Sequence, residues 1–233
     1  MFDTPPQLVN EEFFAEKIPP EHLDELLALG WRHFDFHFFR YNLAIYKNEI
    51  RLVIPLRIRL SAFSLSKSLR RVIRKNEDLR VVIQPATVSD EKAELFDRHK
   101  ERFYENAPSS LYDYLSLFDP AAVPCEVREI CVYSGKKLLA ASFFDVGSRS
   151  LSGIYAMFEP TESGRSLGIL TMLKEIEFAI ENGKEFYYQG YSYQGESFYD
   201  YKKRFRGSEA FDWNGRWLPL EAEELEISGI RQK

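Results

Sequence analysis

Residues 151–193 read LSGIYAMFEPTESGRSLGILTMLKEIEFAIENGKEFYYQGYSY. Three elements follow one another here. Leu151–Phe158 is rich in β-branched and aromatic residues and predicts a strand. From Ser166 to Asn182, Ile169, Leu170, Leu173, Ile176 and Ile180 recur at helical spacing, and Gly183 stops the run. Phe186–Tyr193 returns to a strand pattern. A strand, a helix and a strand in succession predict a sheet with a helix laid on it, the α/β or α+β class.

Upstream of that unit, Val127–Tyr133 and Lys137–Asp145 flank Ser134-Gly135-Lys136 and predict a hairpin. Ser89 is placed to cap a helix running to about Tyr104, with Asp90 and Glu91 in its first turn. Leu79–Gln84 and Ile50–Leu60 predict strands, and Ser66–Asn76 a helix with Leu69, Val72 and Ile73 inward. Pro20 opens a short helix that Gly30 ends, and Trp31 to Phe39 alternates as one strand would. Downstream, Ser197–Phe205 predicts a short helix and Trp213–Trp217 a turn. The chain divides into an N-terminal part, residues 1–85, and a catalytic part, residues 86–233.

The bulk composition excludes several classes. No stretch approaches the roughly 20 apolar residues of a membrane span. The N-terminal Met1-Phe2-Asp3-Thr4-Pro5-Pro6 lacks the pattern of a signal peptide. Two cysteines, Cys125 and Cys131, are too few for a disulfide scaffold or a four-thiolate zinc site, so a reduced cytoplasmic protein is expected. The net charge of −5 hides a basic cluster at Lys67, Arg70, Arg71, Arg74 and Lys75, and an acidic C-terminal run at Glu221, Glu223, Glu224 and Glu226. For an anionic partner the local patch outweighs the sum.

Four segments in order resemble the arginyl-/leucyl-tRNA–protein transferase family. They are Leu29-Gly30-Trp31-Arg32 with Phe38-Phe39-Arg40; Ile54-Pro55-Leu56-Arg57-Ile58 leading into Ser66–Asn76; Ile154–Pro160 with Arg165–Gly168; and Tyr188-Gln189-Gly190-Tyr191 with Tyr201–Arg206. The resemblance spans roughly residues 25 to 220. It implies a GNAT-like mixed sheet flanked by helices, a smaller N-terminal subdomain, an amino acid carried by tRNA as donor, and a protein or peptide N-terminal amine as acceptor. It implies no cofactor beyond the aminoacyl-tRNA. One departure is plain: where the family carries a cysteine cluster, this chain has Tyr41-Asn42-Leu43-Ala44-Ile45-Tyr46-Lys47-Asn48, without a thiol. A metal centre of the family type is not expected.

The residues supply candidates for each role. Lys67, Arg70, Arg71, Arg74 and Lys75 suit tRNA phosphates, whose contacts make binding salt-dependent; a solvated helix face is the ordinary alternative. Arg165, Ser166 and Gly168 open the long helix, whose free N–H groups suit a terminal phosphate or a CoA pyrophosphate as readily as they suit a plain cap. Tyr187, Gln189, Tyr191 and Tyr193 share one side of a strand, with Tyr188 on the other, if strand alternation holds. Tyr rings there could stack on a terminal adenine. Gln189 is the polar member and the candidate hydrogen-bonding group at the reacting ester, alongside core filling. Tyr201, Lys202 and Arg206 fit a clamp on the tRNA 3′ end or a solvated face. His33, Asp35 and His37 could ligate a metal, although adjacent alternating positions crowd the ligands, and no metal is assigned.

The ester is already activated, so direct attack of a neutral amine on its carbonyl is expected, with orientation, oxyanion donors and a proton route from the protein. Gln189 and the Tyr155–Phe158 backbone are the candidate donors and Glu159 the candidate proton acceptor. Tyr155, Phe158 and Tyr191 are candidates to line the aminoacyl pocket. An acyl-CoA N-acyltransferase and a non-catalytic tRNA-binding relative are the alternatives.

Overall fold

The computed structural model of the chain describes residues 7–102 and 108–220. The acidic run from Glu221 and the end of the helix expected to reach Tyr104 lie outside the described residues.

The elements in chain order are β1 (Asn10–Phe14), α1 (Pro20–Ala28), β2 (Arg32–Phe34), β3 (His37–Tyr41), β4 (Leu43–Tyr46), β5 (Glu49–Arg59), α2 (Lys67–Lys75), β6 (Arg80–Pro85) and α3 (Asp90–Lys100). Then follow β7 (Val127–Ser134), β8 (Lys137–Val146), β9 (Ser150–Phe158), α4 (Leu167–Glu181), β10 (Phe186–Tyr193), β11 (Ser208–Phe211) and β12 (Trp217–Pro219). The large sheet runs β12-β11-β5-β10-β9-β8-β7-β6, with β4 paired to β5. All its pairings are antiparallel except β9 with β10, the two strands joined through α4. The expected mixed sheet flanked by helices is present. Strands β5 and β6 come from the N-terminal side of residue 85, so the sheet runs across that boundary. A separate three-stranded sheet, β1-β3-β2, stays within residues 10–41.

Strand alternation explains why helices cover both faces. Ile130, Val132, Ala140 and Phe144 point to one side and pack with Leu170, Leu173 and Ile176 of α4. Their neighbours Cys131, Ala141 and Phe143 point to the other, with Leu95 and Phe96 of α3. One buried ion pair fastens α3: Lys92 Nζ lies 2.6 Å from both carboxylate oxygens of Glu129 on β7. Gln84 and the Thr87 N–H also donate to that carboxylate, so neither buried charge is left uncompensated.

Three expectations change. Trp31–Phe39 is not one strand: Asp35 adopts φ 49° and turns the chain, so β2 and β3 form a hairpin in which His33 faces Phe38. His33 and His37 therefore part company, His33 buried and His37 exposed on Glu12 at 2.9 Å, and the trio with Asp35 does not converge. The helix from Ser166 begins at Leu167, preceded by a 3-10 stretch over Pro160–Arg165. The predicted helix at Ser197–Phe205 is 3-10, Phe198–Arg204, capped by Ser197.

Candidate active site at the splay of two parallel strands

The pairing of β9 with β10 starts at Phe186↔Ser150 and stops at Tyr188↔Ser152. Two bulges open the sheet at that point. On β9 the register to β8 jumps from Tyr155↔Phe143 to Gly153↔Phe144, leaving Ile154 extra. On β10 the register to β5 jumps from Tyr188↔Arg57 to Gly190↔Leu56, leaving Gln189 extra. A bulge bends its strand and re-aims the side chains that follow. Tyr187 therefore reaches the α4 side, where its hydroxyl donates to Glu175 at 2.5 Å, while Tyr191 turns to the N-terminal sheet and donates to the Gly30 carbonyl at 2.7 Å. The single shared face expected for Tyr187, Gln189, Tyr191 and Tyr193 is broken by this extra residue.

Arg32, from the start of β2, fills the opening. Its guanidinium donates to Ser152 Oγ at 2.7 Å and to the Gly153 carbonyl. Burial pulls its pKa down, opposed by the nearby Asp145 carboxylate. Lys202 enters from the 3-10 segment and donates to the Tyr191 carbonyl at 3.2 Å. Enclosure of the amine, then the neighbouring Arg32 charge, lower the Lys202 pKa to about 7. Gly190 lies beside both: it holds φ +87°, and a Cβ there would be in ordinary contact, 3.4 Å from Lys202 Nζ and 3.6 Å from Arg32 Nη2. Gln189 is 4% exposed; its Nε2 donates to the Lys202 carbonyl at 2.8 Å, and its Oε1 is buried without a partner. The Lys202 amine and the Arg32 guanidinium thus come together beside Gly190 where two strands part, and the bulged Gln189 holds the Lys202 backbone.

On the far side of the opening, burial raises the Glu175 carboxyl to about 7, against hydrogen bonds from Ser142 and Tyr187. Gly153 lies against this pair, its would-be Cβ 3.0 Å from the Tyr187 hydroxyl.

The other candidates separate into engaged and available groups. Tyr155 stacks on Tyr114 with ring centroids 4.3 Å apart, and its buried hydroxyl has no partner. Phe158 lies edge-on to His99 and beneath Arg102. Glu159 is committed elsewhere: burial alone would raise its pKa, but Thr161, Lys137 and Arg98 hold it below the usual carboxylate range. A carboxylate so paired is a poor proton acceptor. Arg165 is likewise tied, to Asp78 at 2.9 Å and Glu162 at 3.1 Å. Ser166 sits at the N-cap of α4 with φ 57° and makes no capping bond, and Gly168 packs on Phe158. Tyr188 turns to Arg57 and Trp217, and Tyr201 packs on the main core. Arg206 reaches Ser64 at 3.3 Å.

Helix α2 is capped by Ser66, whose hydroxyl accepts from Leu69 N, and its basic side chains stay outside. Lys75 Nζ donates to the Gly164 carbonyl at 2.5 Å and Asn76 to that of Arg165 at 3.0 Å, docking α2 on the entrance to α4. Leu65, Lys67, Arg70, Ile73 and Arg74 line a shallow hollow there.

The sequence pattern of the family "Arginine-tRNA-protein transferase, C terminus" matches residues 91–212, a little over half of the chain. The chain belongs to this family. It is an aminoacyltransferase that draws on aminoacyl-tRNA, as the segments around Gln189 and Lys202 implied. Among similar curated proteins, an aspartate/glutamate leucyltransferase of Parvibaculum lavamentivorans is 30% identical over 171 residues, covering 72% of this chain and 70% of the relative. One of Helicobacter hepaticus is 25% identical over 204 residues, 85% of this chain and 83% of the relative. Of solved structures, a C-terminal domain from Agrobacterium fabrum assigned to lysylphosphatidylglycerol synthetase aligns with TM-score 0.52 at 14% identity, covering 95% of this chain and 71% of that one. FemX aligns with TM-score 0.51 at 12% identity, covering 88% and 70%. These two likenesses show the fold. No described helix of this aminoacyltransferase is long and apolar enough to cross a membrane.

Arg32, Ser152 and Glu175 were not among the site residues that the sequence suggested, and Tyr187, expected as a stacking ring, is instead a buried hydrogen-bond donor to Glu175. Arg32 stood in a family-like segment, but only its burial and its reach across to β9 reveal its part. Glu175 had a sequence signal, a carboxylate three residues after Met172 and four before Ala179, on the inward face of the best-defined helix.

Proposed function

We propose that this aminoacyltransferase moves leucine from leucyl-tRNA to the α-amine of proteins whose first residue is Asp or Glu. The relatives' names support the donor and the acceptor. The observation that carries the chemistry is the Lys202 amine, enclosed beside Arg32 and the bulged Gln189 at the strand splay. The acceptor amine attacks the ester carbonyl carbon and forms a tetrahedral intermediate. Gln189 Oε1 accepts one of the amine's N–H groups and holds its lone pair toward the carbon. Lys202, in its neutral form, takes the amine proton. As the intermediate collapses, the peptide bond remains, the C–O bond to the ribose breaks, and Lys202 returns the proton to the departing ribose oxygen. Arg32 supplies fixed positive charge as the carbonyl oxygen becomes anionic. The α2 face, with Lys67, Arg70, Arg71, Arg74 and Lys75, is assigned to tRNA phosphates. Tyr155 and Phe158 are assigned to the aminoacyl side chain, and Tyr201 and Arg206 to the 3′ end.

At the entrance to α4, Arg165 is tied to two carboxylates and is not free for a CoA phosphate. Single-turnover assays with tRNA pools charged with labelled amino acids and peptides of defined first residue test the proposal. Label is expected from leucine into Asp- and Glu-initiated peptides, and no acyl transfer from acetyl-CoA. Binding of charged tRNA without any transfer would favour a non-catalytic role.

A further inference from the structure

His33, Cys125 and Asp145 take no part in the transfer step, yet β2, the segment before β7 and the end of β8 bring them together. They are 3%, 5% and 1% exposed. Asp145 Oδ1 lies 3.1 Å from His33 Nε2 and 3.6 Å from Cys125 Sγ, and the three donor atoms all lie within 4.8 Å of one another. The His33 ring is fixed from behind, its Nδ1 lying 2.8 Å from the Asp35 carbonyl. A carbonyl can only accept, so Nδ1 carries a proton and Nε2 is left facing the Asp145 carboxylate. This backbone bond to the far nitrogen is the usual support of a metal-binding imidazole. Nε2 itself is buried and makes no hydrogen bond. An imidazole nitrogen and a carboxylate oxygen at this range call for a proton or a metal cation between them.

We propose that His33 Nε2, Cys125 Sγ and a carboxylate oxygen of Asp145 bind one divalent transition-metal ion of the zinc class. Imidazole, thiolate and carboxylate are the donors such an ion takes, and tetrahedral zinc separates them by about 3.3–3.6 Å at ordinary bond lengths. A thiolate and a carboxylate balance the two charges of the ion. Binding displaces the thiol proton to solvent. The site differs in place and ligand set from a cysteine cluster in the Tyr41–Asn48 segment, which has no thiol here. It ties the N-terminal hairpin to the large sheet next to Arg32, so it serves the fold on which the transfer site stands. A second proton, on Nε2, is the other way to satisfy the His33–Asp145 pair, and experiment separates the two.

The test uses the full chain, stripped with a chelator and titrated with cobalt(II), then with zinc. Stoichiometric binding is expected, with the absorption of a thiolate-to-cobalt charge transfer, and zinc is expected to raise Tm by about 5 °C or more. Cys125→Ser abolishes both signals; Cys131→Ser, at the other cysteine, leaves both. His33→Asn serves as the second variant should Cys125→Ser not fold. A folded wild-type chain that gives no charge-transfer band at saturating cobalt would overturn the site. So would a band that survives Cys125→Ser.

Discussion

At the residue scale, Lys202 carries two consequences that can be measured separately. Its amine titrates near 7 in the fold and near 10.5 in the unfolded chain. Between those values the unfolded state binds more protons, so this residue makes stability rise with pH through that window. Below pH 7 the cost of enclosing the charge is full. Lys202→Met is therefore expected to raise Tm, most at pH 6 and least at pH 10, read by thermal unfolding across pH. A Tm gain that does not change with pH would show that the amine is not enclosed as a charge. Catalysis runs the opposite way, because the variant removes the proton acceptor. Function here costs stability, as strained or desolvated active-site groups commonly do.

The splay of β9 from β10 is the unit that matters at the scale of elements, and it depends on two glycines and two bulges. Gly190 is the sharper case. Its φ of +87° is a backbone conformation that a residue with a side chain adopts only with strain. Gly190→Ala is expected to cost about 1–2 kcal/mol from backbone conformation and to lower the transfer rate by about tenfold or more, because the relaxing backbone shifts the adjacent Tyr191 carbonyl that holds Lys202. Urea titration and single-turnover rates check the two numbers independently. Helix α2 makes its own prediction. Changing Arg70 and Arg74 together to Gln is expected to weaken tRNA binding and to reduce its log–log salt slope by about 2, while Tm hardly moves. An unchanged slope would remove α2 from the tRNA interface.

Over the whole molecule, most elements were legible because periodicity and punctuation agreed. The α4 stripe (apart from the exposed Ile180), the Ser89 cap and the Ser134–Lys136 turn acted locally, and they stand in the structure. What failed depended on contacts distant in sequence. The β2–β3 hairpin turns at Asp35, and nothing in Trp31–Phe39 breaks the alternation to announce it. The bulge at Gln189 is fixed by pairing with β5, more than 130 positions away in the chain, so strand alternation misplaced Tyr191. The candidate site was legible in part for the same reason. Gln189 and Lys202 were visible as residues, but the meeting of Lys202 with Arg32 needs β2 and β10 folded together. Glu159 was the reverse case: a suitable residue type near the expected site, already spoken for by Arg98 and Lys137.

The most direct test is the pH dependence of single-turnover transfer, measured below pH 7 with wild type and Lys202→Met. Two groups must lose protons in the wild type, Lys202 near 7 and the acceptor's α-amine near its usual 7.7–8.0. The logarithm of the rate is therefore expected to climb with a slope approaching 2 in the wild type and 1 in the variant. The variant is also expected to be slower by about 10²–10⁴-fold at pH 7.5. A slope of 1 in both proteins, with similar rates, would contradict Lys202 as the proton acceptor and the site built around it.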